Sequence, residues 1–268
     1  MDKFKLEVYD RLYNKDILDK KPFYNIGAGR NFYHPYWINV DYDSEWYKNE
    51  ISKNIINHNL MSIEPIPIEK DSVEIIYTSH TIEHISEKAV FKLFKESYRV
   101  LKKNGLIRIT CPDANLNYYA LLRNDIGYFY WDNWYETYEK YSPIYNAPAN
   151  SVPLEERWLH TLAAQLCPID KSPSKKKFSS EEIKKIILTK TKEEVFDYFT
   201  SFCEFNPEIP RNHISWWNHD KIKRFLKEAG FKIIYRSGYK QSSNPVLRNM
   251  ELFDNTHPAM SLYIEAIK

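Results

Sequence analysis

The stretch Phe23-Tyr24-Asn25-Ile26-Gly27-Ala28-Gly29-Arg30, followed by Ile38-Asn39-Val40-Asp41, decides how this chain is read. Two of the six glycines in 268 residues fall within the octapeptide. An apolar run ends in Gly-Ala-Gly, and a second apolar run ends on a carboxylate. Glycines at the carboxyl end of a buried strand let the backbone turn tightly and approach a ligand. The aspartate offers acceptor lone pairs for two ribose hydroxyls. A dinucleotide fingerprint needs another glycine three residues on, where Phe32 stands, and an acid about 20 residues downstream. A nucleoside cofactor without a pyrophosphate therefore fits better than a dinucleotide.

Outward from this point the chain shows α/β grammar. Residues 23–27, 37–41, 73–77 and 106–111 read as buried strands. Residues 88–102 read as a helix with Val90, Phe91, Phe94, Tyr98 and Leu101 on one face. Asn104-Gly105 ends that helix, with Gly105 expected in a left-handed cap. Residues 1–20 read as a leading helix. Residues 220–229 read as a helix, and 231–235 and 261–267 as closing strands. The middle of the chain departs from this pattern. Residues 114–215 show no strand series but carry helix signals, including Ser179-x-x-Glu182 and Thr191-x-x-Glu194 capping boxes and an apolar face over 153–166. The lysine-rich 171–177 reads as a solvated loop. The expected division is a Rossmann-like core of 1–113 plus 214–268 and a mainly helical insertion of 114–213.

Composition excludes several classes. A net charge of +2 carries no electrostatic message for nucleic acid or membrane. The three cysteines, Cys111, Cys167 and Cys203, are too dispersed for a disulfide framework or a cysteine zinc site. No run approaches the ~20 apolar residues of a membrane span, and the opening Met1-Asp2-Lys3-Phe4 lacks a signal-peptide stretch. A cytoplasmic protein without membrane insertion is expected; the oligomeric state stays open.

Two further patterns bear on chemistry. His80-Thr-Ile-Glu83-His84 spells an inverted zinc-protease motif, but at a strand end rather than on a helix, and no metal site is expected from it. Asp41-Tyr42-Asp43 has the D-x-D form of metal-dependent glycosyltransferases, a triplet common by chance.

Asn25-Ile-Gly-Ala-Gly29, Ile38-Asn-Val-Asp41, Asp71-Ser-Val-Glu-Ile-Ile-Tyr-Thr-Ser-His80, Ile82-Glu-His84, Tyr98-Arg-Val-Leu-Lys-Lys-Asn-Gly105 and Ile109-Thr-Cys-Pro-Asp113 together resemble, in order, the class I S-adenosylmethionine-dependent methyltransferases. The resemblance implies an α/β fold with a Rossmann-like seven-stranded mixed sheet, order 3-2-1-4-5-7-6, and S-adenosyl-L-methionine as cofactor. It implies that Gly27 and Gly29 approach the methionine moiety and ribose, that Asp41 takes the ribose hydroxyls and that Tyr42 lies by the adenine. Asn59 and Leu60 stand where many members carry Asp-Leu against the adenine. Asn25 replaces the acidic residue many members place before the first glycine. Ser79 and His80 would flank the methyl donor.

For the chemistry, His80 is the candidate base for a neutral hydroxyl acceptor. Asp113 either orients the acceptor or caps the following helix. Arg211, His213 and Trp216 are the candidate acceptor contacts, since arginine holds phosphate or carboxylate and aromatics stack on sugar or base faces. Within the class, the chain resembles methyltransferases of bacterial surface-polysaccharide pathways, most of all those that O-methylate the phosphoramidate decoration of a capsule. The expected acceptor is a small polar, phosphorylated or sugar-nucleotide molecule. The competing readings are a degenerate methyltransferase-fold partner subunit, supported by Asn25 and Asn59, and a metal-dependent glycosyltransferase.

Overall fold

A computed structural model describes residues 3–29, 31, 33, 35–43, 55–62, 64–130, 141, 142, 147, 148, 151–170, 174, 176–206, 208, 209 and 212–268. The chain divides into two compact units. One comprises residues 1–82, 87–111 and 219–268, the other residues 83–86 and 112–218. No helix among the described residues is long and apolar enough to cross a membrane.

The first unit is built on a seven-stranded sheet. Its strands are β1 (Phe23–Ile26), β2 (Trp37–Asp41), β3 (Ile55–Asn57), β4 (Val73–Ser79), β5 (Leu101–Pro112), β6 (Ile233–Arg236) and β7 (Ser261–Ile267). Their order is β3-β2-β1-β4-β5-β7-β6, as the resemblance implies. β1 pairs in parallel with β2 and β4, β2 with β3, and β4 with β5. β6 and β7 are antiparallel. The start of β5 bonds the end of β7, through Asn104 N–H to the Lys268 carbonyl (2.9 Å) and Lys268 N–H to the Gly105 carbonyl (3.1 Å), so β7 also runs against β5. Parallel strands covered on both faces read as near-continuous apolar runs. Accordingly, Ile75, Ile76 and Tyr77 of β4 and Leu106, Ile107 and Ile109 of β5 are all buried.

The helices of this unit are α1 (Lys3–Leu12), α2 (Lys15–Leu18), α3 (Glu87–Val100) and α8 (His219–Ala229). α3 buries Ala89, Val90, Leu93, Phe94 and Val100 at helical spacing. It meets α8 through the Phe91–Phe225 edge contact (5.9 Å) and a Lys221–Glu87 ion pair (2.5 Å).

Several local expectations are corrected. The leading segment is two helices, because Asn14 leaves the helix and caps α2, its Oδ1 accepting Ile17 N–H at 2.9 Å. Asn104, not Gly105, takes the left-handed conformation after α3 (φ 67°). Gly105 is needed for space instead, since a Cβ there would stand 2.9 Å from the Lys102 carbonyl oxygen. β6 begins at Ile233 because Phe231 N–H still bonds the Leu226 carbonyl at the end of α8. The middle segment also holds a two-residue antiparallel ladder, Tyr141–Ser142 against Ala147–Pro148.

The second unit contains α4 (Ala114–Leu122), α5 (Leu154–Ala163), α6 (Ser180–Thr189) and α7 (Lys192–Thr200). Both capping boxes form. Glu182 accepts Ser179 N–H at 2.9 Å, and Glu194 accepts both the N–H and the hydroxyl of Thr191 at 2.8 Å. The core of this unit packs Tyr118, Trp158, Leu162, Phe178, Phe196, Phe199 and Trp216. The lysine-rich stretch falls partly outside the described residues, at 171–173 and 175.

One side chain in the sheet is both charged and fully enclosed. Arg108 of β5 is 0% exposed, and all five of its N–H donors are occupied. Nε and Nη2 grip Asp254 at 3.1 and 2.5 Å, Nη1 reaches Glu265 (2.9 Å) and Ser237 Oγ (2.8 Å), and Nη2 reaches the Gly238 carbonyl (3.0 Å). Glu265 also accepts from Tyr235 OH (2.5 Å) and from Ser243 N–H and Oγ (both 3.0 Å). Burial pushes the Glu265 carboxyl up, but Ser242, Ser243, Tyr235 and Arg108 overcome this and hold it below its ordinary value. A carboxyl lowered in the fold contributes stability that is full above its unfolded pKa and is lost as pH falls through the folded one. Arg108→Leu strands two buried carboxylates. It is expected to cost about 3–5 kcal/mol in urea unfolding at neutral pH, with part of the loss recovered at acid pH as Glu265 becomes protonated.

Candidate functional site

The parallel register brings the glycine turn and the aspartate side by side. Ile26 stands opposite Val40, so β1 and β2 end together. Gly27 N–H and Ala28 N–H both bond the Val40 carbonyl, at 2.9 and 3.2 Å. Gly27 (φ 71°) and Gly29 (φ 54°) both lie in the left-handed region, where side chains are strained. The space around them differs. A Cβ on Gly27 would meet Thr81 Oγ1 at 2.2 Å, while one on Gly29 would meet nothing within 4 Å. Gly27 is thus fixed by packing from within, whereas Gly29 borders open space.

Asp41 holds this turn in place. Its Oδ2 accepts Gly29 N–H at 2.5 Å and its Oδ1 accepts Tyr42 N–H at 2.6 Å. Burial pushes the Asp41 carboxyl above its ordinary value, and the Gly29 and Tyr42 N–H groups offset only part of that. Each oxygen keeps a second lone pair for an incoming hydroxyl. Tyr42, beside it, is exposed. Asn59 and Leu60 follow β3 and are half-buried. Asn59 Oδ1 accepts Met61 N–H at 2.9 Å, leaving one lone pair for a ligand amine.

Asn25 is 2% exposed and braces the loop after β1. Its amide donates to the Asn31 carbonyl (2.6 Å) and to Asn39 Oδ1 (3.1 Å). Asn39 in turn accepts Tyr33 N–H (3.2 Å). An acid at position 25 could make neither donation, which accounts for an amide standing there.

At the end of β4, Ser79 Oγ and Thr110 Oγ1 are 2.8 Å apart. His80 has φ 49°, with its N–H on the Thr110 carbonyl (2.9 Å). His80 Nε2 lies 2.8 Å from Ser261 Oγ. The single Ser261 hydroxyl proton faces two carbonyl acceptors, Thr256 and His257, at 3.0 and 2.8 Å. Nε2 therefore carries the proton in this contact, and Nδ1 is the basic nitrogen of the neutral ring. A cleft of about 420 Å3 opens here, lined by Asn31, Tyr33, Tyr77, Ser79, Glu251, Leu252, Asn255 and Thr256. Its wall at 251–256 was not foreseen. The available signal was the long polar connection between β6 and β7, since structureless links of that length are uncommon unless they do something.

Of the expected acceptor-side residues, Asp113, His213 and Trp216 are among those described. Asp113 caps α4, its Oδ1 accepting from Asn115 N–H (3.1 Å) and Leu116 N–H (3.3 Å). Trp216 is 6% exposed in the helical unit's core, with its indole N–H on Asp197 Oδ1 (2.7 Å), so its faces are taken up by packing rather than presented for stacking. His213 Nδ1 bonds the Thr161 carbonyl at 2.6 Å. Arg211 lies outside the described residues.

The sequence over residues 25–109 matches the methyltransferase domain family. No curated protein matches the chain. Among solved structures, it is similar to a SAM dependent methyltransferase from Archaeoglobus fulgidus (15% identity, 98% of this chain, 94% of that one, TM-score 0.42). It is also similar to one from Mesorhizobium loti (12%, 92% and 90%, TM-score 0.41). A third similar structure is phosphoethanolamine N-methyltransferase 2 of Haemonchus contortus (13%, 92% and 48%, TM-score 0.39). The chain carries a methyltransferase domain of the class I, Rossmann-like type. The protein is an S-adenosylmethionine-dependent methyltransferase, and S-adenosylmethionine is its cofactor.

Replacing Asp41 by alanine removes the turn's anchor and its free acceptor lone pairs. One charge-assisted hydrogen bond of this kind contributes about 1.5–3 kcal/mol, so calorimetric affinity for S-adenosylhomocysteine is expected to fall by at least roughly 10- to 100-fold. Ribose donors favour the Asp41 anion, whereas the cofactor-free protein favours its protonation. Affinity should therefore fall as pH drops, beginning above the range of an ordinary aspartate. Gly27→Ala is expected to abolish binding altogether, because Thr81 and the positive φ both exclude a methyl group there.

Proposed function

We propose that this methyltransferase is an O-methyltransferase acting on a small polar acceptor, phosphorylated or carried on a sugar nucleotide, in capsular polysaccharide biosynthesis, with the phosphoramidate decoration as the acceptor group. The observation that carries the O-methylation is the state of His80. Its Nε2–H is committed to Ser261, and the basic Nδ1 belongs to a residue adjoining Ser79 at the end of β4. A sulfonium methyl is already activated, so alignment provides much of the rate, about 7–11 kcal/mol in well-oriented systems. What a neutral hydroxyl still requires is removal of its proton, and a neutral imidazole does this near neutral pH. The capsule setting is supported by the resemblance of the ordered motifs to surface-polysaccharide methyltransferases, and we place the enzyme in the cytoplasm with that pathway.

In this reading Gly27 and Gly29 admit the methionine moiety and ribose, Asp41 binds the ribose hydroxyls, and Tyr42, Asn59 and Leu60 surround the adenine. Ser79 lies beside the transferred methyl. Asn25 contributes by holding the 31–33 loop. Asp113 acts by starting α4 rather than by touching the acceptor.

The test is methyl transfer from S-adenosylmethionine to phosphoramidate and sugar-nucleotide acceptors, comparing the wild type with His80→Asn. Asparagine tolerates a positive φ, so the backbone is preserved. The expected result is a fall in kcat of about 10²–10⁴ with unchanged affinity for S-adenosylhomocysteine. Unchanged kcat would mean that the acceptor reacts as an anion and needs no base. Transfer only to unrelated acceptors would overturn the substrate class.

A further inference from the structure

The second unit contains a cluster unrelated to the cofactor turn. Glu83, His84 and His213 each offer one ligand-type atom, and those atoms all lie within 4.8 Å of one another. This is the metal-competent group among the described residues. The ends of the cluster are tied together by backbone bonds. The Glu83 carbonyl accepts Ile214 N–H (2.8 Å) and Ser215 N–H (3.2 Å), so the turn at Ile82–His84 and the segment before α8 are held in register.

The imidazoles are oriented in a particular way. His84 Nδ1 lies 3.2 Å from the Asn212 carbonyl oxygen, and His213 Nδ1 lies 2.6 Å from that of Thr161. A carbonyl can only accept, so in both rings Nδ1 carries a proton, and in the neutral ring the lone pair is on Nε2. This is the outer arrangement found on metal-ligating histidines, where the second ring nitrogen donates to a carbonyl or carboxylate and fixes the tautomer. The two rings meet at 4.9 Å between centroids, and His84 Nε2 is 3.8 Å from Glu83 Oε1. The Glu83 side chain is 2% exposed. Glu83 and His213 border a cavity of about 10 Å3 together with Thr161 and Trp216. His84 does not line it, and it has room for at most one water, not for a sugar or a phosphate group.

We propose that Glu83, His84 and His213 form a binding site for a single divalent transition-metal ion of the zinc class. Two neutral imidazoles and one carboxylate leave a fourth position for water, the pattern of an open zinc site. The inverted zinc-protease spelling is thus misleading in its membership. His80 belongs to the sheet unit and bonds Ser261, and the second histidine comes from position 213. The role follows from the ties just described: the ion clamps the turn at 82–84 to the segment at 212–215.

The site can be tested on the full-length protein without any methylation assay. After chelation and dialysis, Zn2+ is returned and bound metal measured, with Co2+ as the spectroscopic substitute. The wild type is expected to bind one equivalent, to show the visible bands of low-coordinate Co2+ and to unfold at higher temperature with Zn2+ present. His213→Ala and His84→Ala should each weaken binding by more than about 100-fold, since loss of even an outer partner costs about 10- to 100-fold. His80→Asn should leave binding unchanged. A folded wild type that retains no metal and gains no thermal stability from Zn2+ overturns the proposal. So does Co2+ absorption that survives the loss of both histidines. Either failure leaves the methyltransferase assignment intact, because the cofactor residues lie in the other unit.

Discussion

The sheet unit depends on one buried guanidinium. Arg108 sits in the middle of β5 with no exposure to solvent, and a charge at that depth is tolerated only if every donor is satisfied. Its fork supplies five bonds, to Asp254, Glu265, Ser237 and Gly238. Those partners lie on β7 and on the connection between β6 and β7. The arginine thus ties the strand that runs against its neighbours to the parallel part of the sheet. It also fastens the connection between β6 and β7, which buries Val246, Leu247 and Phe253 as well.

That fastening reaches the cleft. Asp254, gripped by Arg108, donates its N–H to the Tyr77 hydroxyl at 2.8 Å, and Tyr77 lines the cleft with Glu251, Leu252, Asn255 and Thr256. Phe253 packs among Tyr33, Trp37 and Tyr77 at centroid distances of 4.8 to 5.2 Å. The 251–256 wall of the cleft is therefore held by both an ion pair and an aromatic cluster. Left-handed backbone occurs at Gly27, Gly29 and His80 beyond the ends of β1 and β4, and it is strained only at His80, which carries a side chain. Strain of that kind persists where surrounding packing over-determines it. Here Thr81 underlies Gly27, Asp41 bridges to Gly29, and Thr110 and Ser261 hold His80.

The helical unit follows a different logic. Its helices begin where capping chemistry dictates and are then gathered by an aromatic core in which Trp158, Phe178, Phe196 and Phe199 interlock. Trp216 and Asp113 show how polar groups are used within the unit. Both residue types suit a polar acceptor. The indole N–H, however, is used by Asp197, and the carboxylate by two amide groups of α4. Polar side chains within a packed unit first satisfy the fold.

Much of this was legible in the sequence. Apolar periodicity placed β1, β2, β4, β5, α3 and α8, the capping boxes placed the starts of α6 and α7, and the family resemblance carried by the ordered motifs from Asn25 to Asp113 implied the sheet order and the cofactor. These signals are local: a strand end, a cap or a tight turn is encoded within a few residues. By itself, the sequence determined the fold class and the methyl donor. Tertiary structure alone decided that Asn104 rather than Gly105 turns left-handed, that Arg108 finds Asp254 and Glu265, that Ser261 sets the proton on His80, and that His213 joins Glu83 and His84. Each of these depends on segments distant in the chain meeting in space. Nothing in the spacing of residues along a polypeptide states which distant carbonyl or carboxylate a side chain will meet.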